Sequence, residues 1–372
     1  MAQVSANPVR YRALDGYRFL AAAGVAVSHY DIAFDLKLGA FSAAIPQLGE
    51  FVDFFFILSG FVIGTTYAGR LASGTDYRHF LQARLARIWP LHLATALASL
   101  ALVPVALLFH VSVNHPEMVR LSELPANLAM VHAWGVFDHL TFNGPSWSIS
   151  AEWFVYLLCP LLLVVAQRLS TFAGATLAVA FVAAMVVVRT HYGLGDWTAA
   201  SFDFGSVRAI PLFFGGLVIA VALARRPIAG SPPWLAVHAL FIASLLTLHF
   251  SAPREIAVAL FALVVAGAAL AERAGRASWI GGKLMSRLGD ASYAIYLTHF
   301  LTAVPVVFVL RRFGLLGTPA ALLAACVTLG VTVVLSLAIY RWFESPLRRR
   351  FAPKSRGPAS RDAHAGAQVF VA

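Results

Sequence analysis

The chain has 372 residues, 60% of them hydrophobic and 12% charged, with a mean hydropathy of +0.77. Soluble domains carry about 25% charged residues, so this composition excludes an ordinary water-soluble globule and points to lipid as the solvent. A net charge of +11 invites a nucleic-acid partner, but the basic residues gather in loops between apolar runs, which is the pattern of membrane topology.

A span needs about 20 predominantly apolar residues. Ten runs qualify: 14–34, 46–68, 87–109, 149–167, 172–190, 205–223, 233–250, 254–272, 289–310 and 319–342. The expected fold is therefore all-α, a polytopic membrane protein of about ten transmembrane helices. Residues 1–350 form the transmembrane domain, and 351–372, polar and rich in Pro, Gly and Ser, are expected to be a disordered cytoplasmic tail. Basic residues precede the first run without an A-x-A-like cleavage site, so that run reads as a retained helix. Residues 121–137 are amphipathic and short, an interfacial or re-entrant piece. Cys159 and Cys326 are far apart in apolar runs and support neither a disulfide framework nor a metal site.

Ten spans put both termini on one side. Twenty lysines and arginines then lie on that side and seven on the other, with Arg18 inside the first span, out of 28 in all. By the positive-inside rule both termini are expected to be cytoplasmic.

Charge inside the spans is the functional signal. An arginine or aspartate at mid-helix costs roughly 2.5–3.5 kcal/mol on insertion scales, so such groups face a polar cavity or a partner more often than lipid. Arg18 and His29 stand eleven residues apart, which is about 20° off full turns and roughly 16 Å along one helix face. In "NGPSWSISAEWFVYLL", Ser146 is a plausible N-cap, and Glu152 lies about one and a half turns inside with Ser148 at i−4. Trp147 and Trp153 read as interfacial aromatics, Trp153 the more so. Arg84 and Arg87, in "RHFLQARLARIWPLHL", are one turn apart just before the third span. Topology alone accounts for either, while the pair also suits a phosphate-rich ligand. Softer candidates are Asp53 and Ser59-Gly60 in the second span, where small residues favour close packing, and Tyr293, Tyr296 and His299 on one face of the ninth. Glu344 beside Arg341 reads as a boundary ion pair.

Together these stretches resemble the acyltransferase-3 family of bacterial integral-membrane O-acyltransferases. The resemblance rests on "LDGYRFLAAAGVAVSH", "FFFILSGFVI", "RLARIWPLH", "PSWSISAEWFVY", "LGDASYAIYLTH" and "FESPLRR", which occur in the family's order from about residue 10 to 350. It implies transfer of an acyl group, usually acetyl, from cytoplasmic acyl-coenzyme A (acetyl-CoA) to a hydroxyl of a carbohydrate, lipid-linked glycan or glycosylated small molecule, in the bacterial inner membrane. It also implies that Arg18 and His29 are the essential first-helix pair, Arg84 and Arg87 the R-x-x-R element, and Glu152 the acidic position. Tyr17, where the family often has leucine, and the bulky Trp89 are departures. No esterase-like domain follows the last helix, so the chemistry is expected inside the bundle.

The mechanism expected from residues and resemblance places the donor's phosphates at Arg84 and Arg87 and its arm past Arg18. His29 acts as general base with Glu152 orienting it. An acyl-histidine is a variant. Trp147, Ser148, Asp53, Ser59, Tyr296 and His299 are expected to line the acceptor path or pore. No metal is expected. The rival class is a proton-coupled transporter using Arg18, His29 and Glu152 as a relay.

Overall fold

A computed structural model describes residues 10–68, 71, 74–108, 118–225, 230–351 and 353. Among these there are helices and turns and no strand. The helices, in chain order, are α1 (Arg12–Ala33), α2 (Ala44–Gln47), α3 (Phe51–Tyr67), α4 (Gly74–Leu108), α5 (Leu124–Leu128), α6 (Trp147–Arg168) and α7 (Thr171–His191). They continue with α8 (Gly205–Arg225), α9 (Trp234–His249), α10 (Arg254–Arg273), α11 (Lys283–Asp290), α12 (Ser292–Arg312), α13 (Pro319–Ile339) and α14 (Ser345–Phe351). Each expected span falls on a long helix. Among the described residues, eight helical stretches are long and apolar enough to cross a membrane by length and composition. The other two expected spans are α9, only 16 residues long, and α1, which carries Arg12, Asp15, Arg18 and Asp31.

The bundle is arranged around α1. Its small residues Ala13, Ala21, Ala22 and Ala26 are fully buried, which lets α3, α11, α12 and α13 pack against it. The tightest pairing is α3 with α8. A Cβ added at Gly60 would collide with the Phe213 carbonyl, and one at Gly216 with that of Ile57. Glycine at both positions lets the two backbones touch, as small residues do between membrane helices. At the periphery, α7 buries almost none of its surface in the protein.

Three boundaries differ from expectation. The third helix begins at Gly74 rather than 87, so Arg84 and Arg87 lie well inside it. At 35 residues it is roughly 52 Å long, more than a bilayer's hydrocarbon core needs. Ser146 does not cap α6. It has helical φ/ψ inside a 3₁₀ turn, Gly144–Ser146, and its Oγ pairs with His132 Nε2 at 3.2 Å. The last helix passes through a π-helical turn, Tyr340–Glu344, before α14. Residues 121–137 do form a short non-spanning piece, folded onto the start of α6 through Ser150, whose Oγ donates to the Met130 carbonyl. The expected tail beyond Phe351 lies, apart from Pro353, outside the described residues.

Candidate active site

A cavity of about 390 Å³ lies at the end of the bundle where α1 begins, lined there by Arg10, by Asp290 at the end of α11 and by Arg348 of α14. Half-exposed Arg10 and Asp290 stand at this mouth, joined by an ion pair of 2.6 Å. Arg10 also holds Asp15 at 2.9 Å. Burial works against its charge, but the two carboxylates outweigh burial and push its pKa up. Five arginines line the cavity: Arg10, Arg18, Arg84, Arg87 and Arg348. Arg18 sits 3.6 Å from Asp15. By contrast, Arg84, Arg87 and Arg348 make no ion pair with a described carboxylate. The Nε atoms of Arg84 and Arg348 are buried without a partner. An orphaned buried donor costs about 1–3 kcal/mol, more when charged, so two such cations together with Arg87 in the cavity lining fit an anionic ligand.

Deeper in, the lining turns to hydroxyls. Glu152, on the first turns of α6, accepts from Ser59 Oγ of α3 at 2.8 Å and from the Tyr156 hydroxyl. Ser148 Oγ donates to the Tyr296 hydroxyl at 2.9 Å, and Tyr296 donates to the Pro145 carbonyl at 3.0 Å. Ser59, Ser148, Glu152 and Tyr296 thus share the cavity with Arg18, Arg84 and Arg87, as expected of neighbours along one path.

His29 is placed differently. It does not line this cavity, and its partner is not Glu152 but His299 of α12, Nδ1 to Nε2 at 2.7 Å. The physical reason is packing. α6 lies against α8 and α4, so Glu152 turns to α3, whereas α1 lies directly against α12. The cavity residue beside the histidine pair is Tyr296, its ring centroid 6.0 Å from that of His299. Asp53, Trp147 and His299, expected in the lining, also fall outside it. Fully buried Asp53 pairs with Arg208 Nε at 2.8 Å, and Arg208 stacks over the Trp147 ring at 5.4 Å. Glu50 joins them at 3.3 Å. This knot ties the starts of α3, α6 and α8 together and needs no ligand. Glu344 does not pair with Arg341. It is buried, and the cations acting on it are Arg87, Arg348 and Arg18.

The model of the acyltransferase-3 family, described as an acyltransferase domain, matches residues 11–341. The chain belongs to the acyltransferase-3 family. Among curated proteins it is 27% identical over 321 residues to acyltransferase MdmB of Streptomyces mycarofaciens, covering 79% of each chain. It is 32% identical over 157 residues to protein 2 in the picA locus of Rhizobium radiobacter, covering 40% of this chain and 77% of that one. No solved structure matches it.

In this acyltransferase-3 protein, Arg348, Tyr340 and Tyr156 are site residues that escape a reading by spacing. Arg348 looks like topology in the run Arg348–Arg350, yet the π turn carries it onto the cavity wall beside Tyr340. Tyr156 looks like a core aromatic, whereas Tyr293, singled out with Tyr296 by spacing, does line the cavity. The only sequence signal for Arg348 was its place in "FESPLRR", and for Tyr156 its i+4 spacing from Glu152.

Proposed function

We propose that this membrane acyltransferase moves an acyl group, acetyl in the first instance, from coenzyme A to a hydroxyl of a carbohydrate, lipid-linked glycan or glycosylated small molecule, in the bacterial inner membrane. The observation carrying this reading is the cavity lining of Arg84, Arg87 and Arg348, three cations with no ion pair to a described carboxylate within 4 Å and two orphaned Nε atoms. Guanidiniums of this kind hold phosphates bidentately, and coenzyme A presents its phosphates at one end and its thioester at the other. With both termini cytoplasmic, the mouth faces the cytoplasmic donor. The pantetheine arm runs past Arg18 toward Tyr296. His29 then takes the acceptor's proton as general base, the hydroxyl oxygen attacks the thioester carbon, and the thiol leaves.

One observation favours a second assignment within the same activity: Glu152 lines the cavity and His29 does not. In that case Glu152 is the base and His29 is structural. Purified protein given acetyl-CoA and a panel of hydroxylated glycosides separates these readings. Acceptor-dependent release of free thiol, lost in His29→Ala and retained in part in Glu152→Gln, is the expected result. A fully active His29→Ala with a dead Glu152→Gln moves the base to Glu152. Glycoside movement across the membrane without any thioester cleavage overturns acyl transfer in favour of transport.

A further inference from the structure

We propose that His299 is the positioning residue for His29, fixing its tautomer so that Nε2 is the free base; this rests on the proposed acyl transfer with His29 as base. The assignment follows from a chain of hydrogen bonds read from its end. His299 Nδ1 lies 3.2 Å from the Ile295 carbonyl oxygen. A carbonyl can only accept, so Nδ1 carries the proton. In a neutral imidazole the other nitrogen is then bare, and His299 Nε2 is an acceptor. It stands 2.7 Å from His29 Nδ1, which must therefore be the donor. His29 is left with its lone pair on Nε2; the residue is partly buried, and Nε2 is not among the fully buried atoms that lack a partner.

The surroundings hold the pair in place. The rings are near parallel, 14° between planes with centroids 5.0 Å apart. Tyr30, the next residue on α1, donates to the His299 carbonyl at 3.0 Å, and so does Thr302 Oγ1 at 2.9 Å. Thr332 of α13 closes the group at 2.9 Å from the Tyr30 hydroxyl. Three helices thus clamp the backbone that carries His299, leaving its ring one neighbour to serve. A neutral imidazole here does the orienting work that a carboxylate does in a hydrolase triad, without a buried negative charge in the membrane.

The proton balance is complete. His29 Nε2 takes the proton of the acceptor hydroxyl as its oxygen bonds to the acyl carbon. The imidazolium keeps its Nδ1–H on His299 Nε2, now as a charge-assisted bond. When the carbon–sulfur bond breaks, the Nε2 proton passes to the thiolate, giving free thiol and neutral His29.

The test compares two polar replacements with the wild-type protein in detergent. Gln can place its side-chain oxygen near the position of Nε2, whereas Asn is too short and reaches only the position of Nδ1. His299→Gln is expected to keep kcat within about fivefold, and His299→Asn to lose about 10²-fold in kcat with the KM for acetyl-CoA unchanged. Equal kcat in wild type and His299→Asn overturns the inference, as does a loss carried in KM, or an equal loss in Gln and Asn while both proteins stay monodisperse with the wild-type Tm. The parent reading fails separately, through an active His29→Ala; a dead His29→Ala beside an active His299→Asn overturns only the role of His299.

Discussion

At the scale of the single residue, what matters is which charges are already spent. Arg10 is held by Asp15 and Asp290, and Arg208 by Asp53 and Glu50, so neither offers a free cation. Arg84 and Arg348 make no ion pair within 4 Å to a described carboxylate, and each keeps a buried Nε without a hydrogen-bond partner. Hydrogen bonds to charged groups contribute about 1.5–3 kcal/mol, so Arg84→Ala and Arg348→Ala should each raise the KM for acetyl-CoA by roughly 10- to 100-fold with little change in kcat. Initial-rate kinetics check this, and an unchanged KM in both variants removes them from the donor site. A second residue-scale prediction concerns His139, outside the spans. Its hydrogen bond to Asp138 at 2.7 Å raises its pKa against the effect of burial, and Glu123 adds to the rise; Arg120, 3.8 Å from Glu123, is the opposing cation nearby. A raised folded pKa means stability that is present below the unfolded value and lost as pH rises through the folded one. Protection of residues 118–146 in hydrogen exchange, corrected for intrinsic rates, should therefore fall as pH rises past the ordinary histidine value of about 6.5. Asp138→Asn should flatten that slope, and a slope unchanged by the substitution would refute the assignment. Spacing made Arg18, Arg84, Arg87, Ser59, Ser148 and Glu152 legible as cavity residues, because each is a polar group the bilayer penalises. It misjudged Asp53, whose partner Arg208 lies 155 residues away, and it could not see that His29 meets His299 rather than Glu152. Both depend on which helices touch, and composition does not carry that.

At the scale of the element, hydropathy located every long helix but not every end. α4 begins thirteen residues before its apolar run, since arginines such as Arg84 and Arg87 are good helix formers even where they break the hydropathy signal. The π turn at Tyr340–Glu344 has no periodic signature, and it carries Arg348 and Tyr340 onto the cavity wall. Such turns are frequent at functional sites. The α3–α8 seam was legible as Ser59-Gly60, and the structure shows its tightness: an added Cβ on Gly60 meets backbone, which cannot move aside. Gly60→Val should lower stability by more than the 1–3 kcal/mol or so typical of overpacking. A Tm in detergent many degrees below wild type, or no monodisperse protein at all, is the expected readout; a wild-type Tm would show that the helices can part. Gly49, with open space around it, is the control position.

At the scale of the whole molecule, the bundle separates two polar regions. One end carries the arginine-lined mouth, with Arg10, Asp15, Asp290 and Arg348 around it. The other carries the Asp53–Arg208 knot and the loop of residues 118–146, with its Glu123–His139 pair. In the proposed reading the first end is the cytoplasmic one, and the cavity would give an acyl-coenzyme A donor a route toward the hydroxyl-lined interior. The most direct measurement is thiol release from acetyl-CoA by proteoliposomes of known orientation, with acceptor present on both sides. The account predicts release only when the donor is on the side of the α1 N-terminus, and its loss in the double variant Arg84→Ala/Arg348→Ala. Release only with donor on the opposite side, or full release in the double variant, would contradict it.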